Sequence, residues 1–230
     1  MTIAERMAGV TCPFMVPLDS AGRIDEDELR RLLEWLITNG VTGLFANGTC
    51  GEFTVFTPAE RARIVEIAVD QAAGRVLVQA GATRATPAEG IEAIAQCANL
   101  GADCVVLLPE YYYAQNEAAV IAYYEAIADR SPLDIVLYNL PSRANEISLP
   151  AVYRLARHER IIGIKGSSGS LPRIMSTVDR VRGVRPEFVV LSGSDELLGP
   201  ALLLGAQGGT LSLAGVAPRA VRALYEAGRD

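Results

Sequence analysis

Lysine is almost absent from this chain of 230 residues, which contains twenty arginines but only one lysine, Lys165. On an exposed surface the two residue types are nearly interchangeable, and a genomic preference for arginine codons would explain the arginines. They differ where chemistry needs a neutral amine, because guanidinium stays protonated whereas a desolvated ammonium can lose its proton and attack a carbonyl. Lys165 is therefore either a lysine without a special role or a nucleophile, and the neighbouring residues in the sequence distinguish the two interpretations.

Histidine and paired cysteines are scarce as well. His158 is the only histidine, and it lies among arginines and glutamates near a predicted helix end, where a surface capping role is expected. The four cysteines, Cys12, Cys50, Cys97 and Cys104, show no CxxC spacing. This composition disfavours the usual zinc ligand sets, so no metal is predicted. Carbonyl chemistry would then be covalent and amine-based, without a separate cofactor.

The sequence also lacks three further features, namely a basic stripe, a long apolar run, and a basic leader followed by an apolar segment. The formal net charge is -6, with carboxylates and arginines interspersed, so nucleic acid is not a predicted partner. The longest apolar stretches are strand-sized, so neither a membrane span nor a signal peptide is predicted. Half of the residues are hydrophobic, which suits one domain over residues 1–230. A reducing cytoplasm fits best.

Short β-branched runs alternate with longer segments of helical period, a pattern typical of βα units and a parallel sheet. Strands are predicted at 10–16, 41–46, 75–80, 103–108, 134–139, 161–165, 187–192 and 208–213, and helices near 25–39, 58–73, 87–100, 116–130, 148–158, 170–182, 195–205 and 217–228. Eight such units in roughly 220 residues predict a (β/α)8 TIM barrel. A doubly wound open sheet is the alternative, disfavoured because no GxGxxG turn follows the first strand.

Unusual polar residues gather where the predicted strands end, which is the end of a barrel that carries the chemistry. They occupy the segments 47–52, 109–113, 138–143, 165–170 and 192–195. Each has a plainer interpretation. Segment 47–51 fits a simple turn as well as a carboxylate cradle, and the tyrosines at 111–113 fit an interface as well as a catalytic phenol. Arg143 alone would be a solvated charge, and loop 166–170 resembles a phosphate cradle only superficially.

Five motifs in order carry a resemblance to a known family. They are DxxGRID at 19–25, GTCGEF at 48–53, YNLPSR at 138–143, GIKGSSG at 163–169 and SGSDELLGPALLLGAQGG at 192–209. Together they resemble the dihydrodipicolinate synthase and N-acetylneuraminate lyase family of pyruvate-dependent class I aldolases, from about Gly9 onward. The resemblance implies that Lys165 forms an imine with a 2-oxo acid and that Tyr138 moves protons beside it. It also implies that Thr49 joins a relay reaching a tyrosine of a neighbouring subunit, which is best matched by Tyr111, with Tyr112 as the alternative.

The same resemblance implies the substrate-binding residues, which are Gly48, Cys50, Arg143, Gly193 and Leu211. Backbone N–H groups near Cys50 would bind the pyruvate carboxylate, and Arg143 would face a second carboxylate on an aldehyde partner. The expected partners are a small 2-oxo acid and an aldehyde. A homo-oligomer, either a dimer or a tetramer, is expected as well.

The chain departs from the family pattern in four places. Cys50 stands where the family usually has threonine or serine, so a hydroxyl hydrogen bond becomes a weaker thiol contact. The segment PEYYYAQ at 109–115 differs from the usual tyrosine loop of the synthases. Phe53, Thr54 and Arg61 replace small polar residues and the histidine of lysine-inhibited members, so lysine feedback is not expected. The family also continues for several helices, whereas this sequence ends in AGRD, as a shortened chain or a minimal form.

The expected activity is condensation of pyruvate with aspartate semialdehyde, as in 4-hydroxy-tetrahydrodipicolinate synthase. Arg143 favours this aldehyde because the aldehyde carries a carboxylate. Two alternatives stay open. One is an aldolase or dehydratase acting on a 2-keto-3-deoxy sugar acid, which the unusual tyrosine loop favours. The other is a barrel that binds 2-oxo acids without catalysis.

Overall fold

Eight parallel strands close into a barrel in the computed structural model, which describes residues 1–229. Each strand pairs with the next along the chain, and the last pairs with the first. The strands are β1 Val10–Cys12, β2 Gly43–Ala46, β3 Leu77–Gly81, β4 Cys104–Leu107, β5 Asp134–Asn139, β6 Ile161–Gly166, β7 Val189–Ser192 and β8 Gly208–Thr210. This confirms the predicted (β/α)8 TIM barrel and excludes the open sheet.

Helices surround the barrel and follow the strands in alternation. They are α1 Ile3–Met7, α2 Glu26–Thr38, α3 Pro58–Ala72, α4 Pro87–Asn99, α5 Glu117–Ala128, α6 Leu149–Leu155, α7 Leu171–Arg182, α8 Leu198–Leu203 and α9 Pro218–Ala227. Helices α3 and α4 begin after capping residues, because the Thr57 and Thr86 hydroxyls accept hydrogen bonds from the N–H groups of Glu60 and Glu89. No helix in the described part of the chain is long and apolar enough to cross a membrane.

Helix α1 was not predicted, and it seals the floor of the barrel. It starts with a capping box, in which Thr2 and Glu5 bond each other's backbone N–H groups. Met7 at its end is 1% exposed and packs with residues that point into the barrel, including Leu77 and Cys104. The N-terminal end of the barrel is therefore closed by an apolar side chain.

Two layers of apolar side chains hold the fold together. The larger layer lies between strands and helices and includes Leu44, Ile64 and Val105. The smaller layer fills the barrel and includes Val106, Val136 and Leu191. Neighbouring residues of a strand alternate between these layers because successive side chains point to opposite faces.

Many predicted elements differ in extent from the observed ones, among them the two end strands and the helix after β7. The first and last strands are shorter than predicted, since β1 ends at Cys12 and β8 at Thr210. The predicted helix 195–205 divides into a 3-10 helix, Asp195–Leu197, and the short α8. The Asp195 carboxylate accepts a hydrogen bond from the Leu213 N–H (3.0 Å) instead of capping its own helix. Asp195 thereby ties the loops after β7 and β8 together.

Candidate active site

Lys165 lies near the C-terminal end of β6 and points into the barrel. It pairs in register with Tyr138 of β5 and Leu191 of β7. Its exposure is 4%, and its Nζ lies 4.2 Å from the centroid of the Tyr138 ring and 5.3 Å from that of Phe45. The ammonium group thus faces two aromatic rings, a cation–π arrangement, inside a largely apolar barrel.

A pair of hydroxyls lies beside this amine. Tyr138 Oη and Thr49 Oγ1 are 3.2 Å apart, and either can donate. Phe45 packs edge-on against the Tyr138 ring, with 6.4 Å between centroids, and so limits where the phenol can move. The amine, the phenol and the threonine hydroxyl come from three loops or strands that the sequence predicted to meet.

Gly193, in the loop after β7, leaves room for the lysine side chain. A Cβ atom on Gly193 would lie 3.0 Å from Lys165 Cε and 1.9 Å from Ser167 Oγ. Any side chain here would displace at least one of these two groups. The glycine therefore sets the space in which the amine and the Ser167 hydroxyl sit together.

Ser167 is a site residue that the sequence interpretation missed. Its Oγ is buried without a hydrogen-bond partner among the described residues. Its N–H donates to the Asn139 carbonyl (2.9 Å), which holds the loop after β6 against the end of β5. A buried unpaired hydroxyl costs free energy, and such a group in a folded protein calls for a specific explanation such as a functional role or a bound water. Its position two residues after Lys165 was the available signal.

Cys50 lies on the other side of the mouth. Its Sγ is 3.1 Å from Ser212 Oγ, in the loop after β8. Behind it, burial raises the pKa of the Cys12 thiol to about 12, with smaller contributions from Cys50 and Asp195. Cys12 therefore stays a protonated, apolar side chain, whereas the partly exposed Cys50 is the thiol that can meet a ligand.

The tyrosine loop after β4 is clasped to the loop after β5. Glu110 accepts hydrogen bonds from the N–H groups of Tyr112 and Tyr113, both at 2.8 Å. Asn145 donates through Nδ2 to the Glu110 and Tyr113 carbonyls, and its Oδ1 accepts from the Gln115 N–H. We call this arrangement, made by Glu110 and Asn145, the loop clasp.

Comparison with known proteins places this arrangement in a family. A family model described as the dihydrodipicolinate synthetase family matches residues 6–230.

The chain belongs to the dihydrodipicolinate synthetase family.

Relatives and solved structures agree with this placement. The chain is 36% identical over 223 residues to a 4-hydroxy-tetrahydrodipicolinate synthase of Methanothrix thermoacetophila, covering 96% of this chain and 74% of the relative. It is 35% identical over 227 residues to an uncharacterised DapA-like lyase of Thermococcus onnurineus, covering 96% and 75%. YagE, a prophage protein of this family from E. coli K12 whose structure contains pyruvate, superposes with a TM-score of 0.93 at 34% identity, covering 97% and 76%. The protein is thus a lyase of the dihydrodipicolinate synthetase family.

Two predicted residues of this family member lie at the rim of the mouth. Tyr111 is 39% exposed and packs edge-on against Phe53, with 6.5 Å between ring centroids. No hydrogen bond joins it to Thr49 within residues 1–229 of one chain. Arg143 is exposed in the loop after β5, and its N–H donates to the Leu140 carbonyl.

The remaining predicted residues have different positions in the lyase. Gly48 lies against Phe45, where a Cβ atom would approach the ring to 2.9 Å. The Leu211 side chain belongs to the layer between barrel and helices, and its N–H donates to the Thr11 carbonyl. His158 pairs with Asp129 at 3.1 Å, before β6 begins and therefore at the opposite end of the barrel from the site. Residues 1–229 contain no group of three or more His, Cys, Asp and Glu side chains that could hold a metal ion.

Proposed function

We propose that Lys165 forms an imine with the ketone carbon of pyruvate and that the resulting enamine adds to an aldehyde. The observation that carries this proposal is the 4% exposed lysine amine beside the Tyr138–Thr49 hydroxyl pair. The neutral amine attacks the ketone, and the carbinolamine loses its hydroxyl as water to give a protonated imine. Loss of a proton from the methyl group then gives the enamine.

Tyr138 carries the protons in this scheme. Its ring centroid lies 4.2 Å from Lys165 Nζ and its hydroxyl 3.2 Å from Thr49 Oγ1, so in this proposal it protonates the departing hydroxyl and later accepts the methyl proton. The enamine carbon forms a bond to the aldehyde carbon, and the aldehyde oxygen takes up a proton. Water then adds to the imine carbon and displaces the lysine nitrogen, which releases the product as a 2-oxo acid and regenerates the amine. In the reverse direction the same steps cleave a hydroxy-2-oxo acid.

For the aldehyde we propose aspartate semialdehyde, which makes the activity that of a 4-hydroxy-tetrahydrodipicolinate synthase. The exposed Arg143 guanidinium supports a second carboxylate on this substrate, because a planar fork binds a carboxylate through two parallel hydrogen bonds. The relative from Methanothrix thermoacetophila carries the same activity in its name. The pyruvate carboxylate would bind near Gly48, Thr49 and Cys50.

A second candidate activity is cleavage of a 2-keto-3-deoxy sugar acid. The segment PEYYYAQ at 109–115 favours it, because this segment differs from the usual tyrosine loop of the synthases. Comparison of kcat/KM for the two substrates distinguishes the activities. A preference for the sugar acid would replace the semialdehyde in the proposal and keep the imine.

Borohydride reduction in the presence of pyruvate tests the imine itself. We expect one stable pyruvate adduct per chain, on the peptide that contains Lys165, and none in Lys165→Arg. Circular dichroism of Lys165→Arg controls for folding. The absence of an adduct in the wild-type protein, or an equal adduct in the variant, would falsify the imine proposal and favour a non-catalytic barrel.

A further inference from the structure

Phe45 is the aromatic residue of the site to which the proposed reaction assigns no step. It lies in β2, its side chain is 1% exposed, and it belongs to the apolar layer that fills the barrel. Its ring centroid lies 6.4 Å from that of Tyr138 and 5.3 Å from Lys165 Nζ. A phenylalanine transfers no proton and forms no covalent bond, so it can contribute to the reaction only through the positions of its neighbours.

The Phe45 ring also packs against Gly48, in the loop after β2. A Cβ atom on Gly48 would lie 2.9 Å from Phe45 Cε1, 3.1 Å from Cδ1 and 3.3 Å from Cζ, and these are its three nearest atoms. The φ angle of Gly48 is not positive, so φ does not by itself require a glycine here. It is therefore the Phe45 ring that leaves no room for a side chain at position 48.

These contacts connect Phe45 to the hydroxyl pair by two routes. Tyr138 packs against the Phe45 ring directly, and Gly48 immediately precedes Thr49 in the chain. The Tyr138 and Thr49 hydroxyl oxygens are 3.2 Å apart, beyond the usual range of about 2.5–3.0 Å for a hydrogen bond between two oxygens. A further shift of either group would therefore break the contact. The Phe45 ring lies against both the phenol ring and the backbone next to Thr49, so it limits such a shift.

We propose that Phe45 is a positioning residue, whose ring sets the separation of the Tyr138 and Thr49 hydroxyls and thereby the rate of proton transfer at the pyruvate methyl group. Proton transfer requires the groups to lie within about 2.6–3.2 Å of each other, which leaves little tolerance. This inference rests on the proposed imine and goes beyond it, because it gives a side chain without any donor or acceptor a role in the reaction. The alternative is an ordinary core phenylalanine that contributes to stability alone.

Phe45→Leu tests the role because it removes the ring and keeps an apolar side chain. Borohydride trapping with pyruvate measures the imine. Exchange of the pyruvate methyl protons for deuterium, followed by NMR without aldehyde, measures proton transfer. In this exchange the Tyr138 oxygen takes a methyl proton from the imine, which leaves the enamine, and a deuteron from solvent then returns to the same carbon. We expect about one adduct per chain at saturating pyruvate, as in the wild type, whereas exchange per adduct should fall at least about tenfold.

Two double variants separate positioning from a loss of packing. Phe45→Leu should cost less in a Thr49→Val background, where the hydroxyl contact is already lost. Gly48→Ala should slow exchange because its methyl group displaces the ring, and this effect should shrink in a Phe45→Leu background. Residues that act through one contact have non-additive effects, so we expect a coupling of at least about threefold in rate in each pair. Gly48→Ala alone tests the same ring if Phe45→Leu does not fold.

Phe188→Leu is the matched control. Phe188 is also 1% exposed, but it lies in the layer between strands and helices, before β7 begins. Its substitution should lower stability in urea and leave exchange per adduct unchanged. Wild-type exchange in Phe45→Leu or in Gly48→Ala, or an equal loss from Phe45→Leu with and without the Thr49 hydroxyl, overturns the inference and leaves the imine intact. Absence of an adduct in the wild-type protein overturns the imine and this inference with it.

Discussion

Single substitutions at Tyr138 and Thr49, whose hydroxyls contact each other, test the proposed proton transfer. Tyr138→Phe removes the proposed acid and base, so kcat should fall by about 10²–10⁴-fold. Thr49→Val should cost less, and the two losses should not add, because both residues act through one contact of 3.2 Å. Steady-state kinetics of both single variants and the double variant provide the measurement.

Tyr153→Phe is the matched control, since the Tyr153 hydroxyl accepts a hydrogen bond from Arg157 on the outside of the barrel. Its kinetics should equal those of the wild type. Additive losses in the double variant would mean that Tyr138 and Thr49 act independently, against a shared relay.

Gly193 gives a second prediction at this scale. Gly193→Ala places a methyl group 3.0 Å from Lys165 Cε and 1.9 Å from Ser167 Oγ, so it should lower the rate of imine formation by at least about tenfold. Gly183→Ala is the control, because no atom lies within 4 Å of the added Cβ and its φ is -78°. Borohydride trapping as a function of time measures the rate. Equal trapping rates in the two variants would show that Gly193 does not position the amine.

Single residues also show what the sequence could and could not reveal about the site. Lys165, Tyr138 and Thr49 were predicted to meet because the C-terminal ends of barrel strands share one mouth. Ser167 was missed because nothing in GIKGSSG shows which hydroxyl is buried. Leu211 faces the helices because Thr210 pairs with Thr11 on the inner face, and the next residue of a strand points outward. The sequence does not show the direction of the Leu211 side chain, because β8 is too short for an inward and outward alternation to be recognised.

At the scale of elements, the loop clasp connects the loop that carries Tyr111 to the loop that carries Arg143. Asn145→Ala removes three hydrogen bonds between these loops. We expect faster hydrogen exchange in residues 109–116 and 140–147 and a several-fold higher KM for the aldehyde. The rate of imine formation with pyruvate should stay the same, because Lys165 lies on a different strand. Kinetics with each substrate varied in turn separate these effects.

Gln115→Ala is the control for the clasp, because Gln115 takes part through its backbone N–H alone. Its exchange rates and KM should match those of the wild type. Faster exchange confined to one loop after Asn145→Ala would contradict the coupling of the two loops.

Helix α1 provides a stability prediction for an element that the sequence interpretation missed. Met7→Ala opens a cavity at the barrel floor and should lower the free energy of unfolding by about 2–5 kcal/mol. The pyruvate adduct should still form, since the site lies at the other end of the barrel. Met175→Ala, at a position 42% exposed on α7, should change stability little. Urea denaturation of both variants measures the difference, and equal midpoints would show that Met7 does not seal the floor.

The predicted elements are longer than helix α1, the element that the sequence did not predict. Long periodic segments such as α3 and β5 were recognised because they repeat a pattern over several turns or alternations. Helix α1 has five residues, too few for a 3.6-residue period to appear, and only its capping box marked it. The sequence predicts one α-helix from residue 195 because Asp195 followed by Glu196 resembles a helix start signal, whereas Asp195–Leu197 forms a 3-10 helix. In the fold, that carboxylate bonds Leu213 across the mouth instead.

At the scale of the whole molecule, the number of βα units in the sequence predicts the closed barrel. The assembly of subunits depends on exposed surfaces, and hydrophobic periodicity does not predict these. Tyr112 and Tyr113 are 80% and 69% exposed and stack edge to face, with ring centroids 5.0 Å apart. Tyr111 packs against Phe53 of its own chain, and within residues 1–229 of that chain no hydrogen bond joins it to Thr49. These positions are consistent with the proposed homo-oligomer, in which Tyr111 completes the relay at a neighbouring subunit's site.

Mixing two inactive variants tests this assembly directly. Tyr111→Phe should reduce activity strongly, and Lys165→Arg should abolish it. In a hybrid dimer, one site combines the intact Lys165 of one chain with the intact Tyr111 of the other. After subunit exchange at equal concentrations, random pairing should restore about a quarter of the wild-type activity, because half of the dimers are hybrids with one working site each. Sedimentation confirms that the variants assemble. If activity stays at the sum of the two separate variants although hybrids form, Tyr111 does not act across the interface.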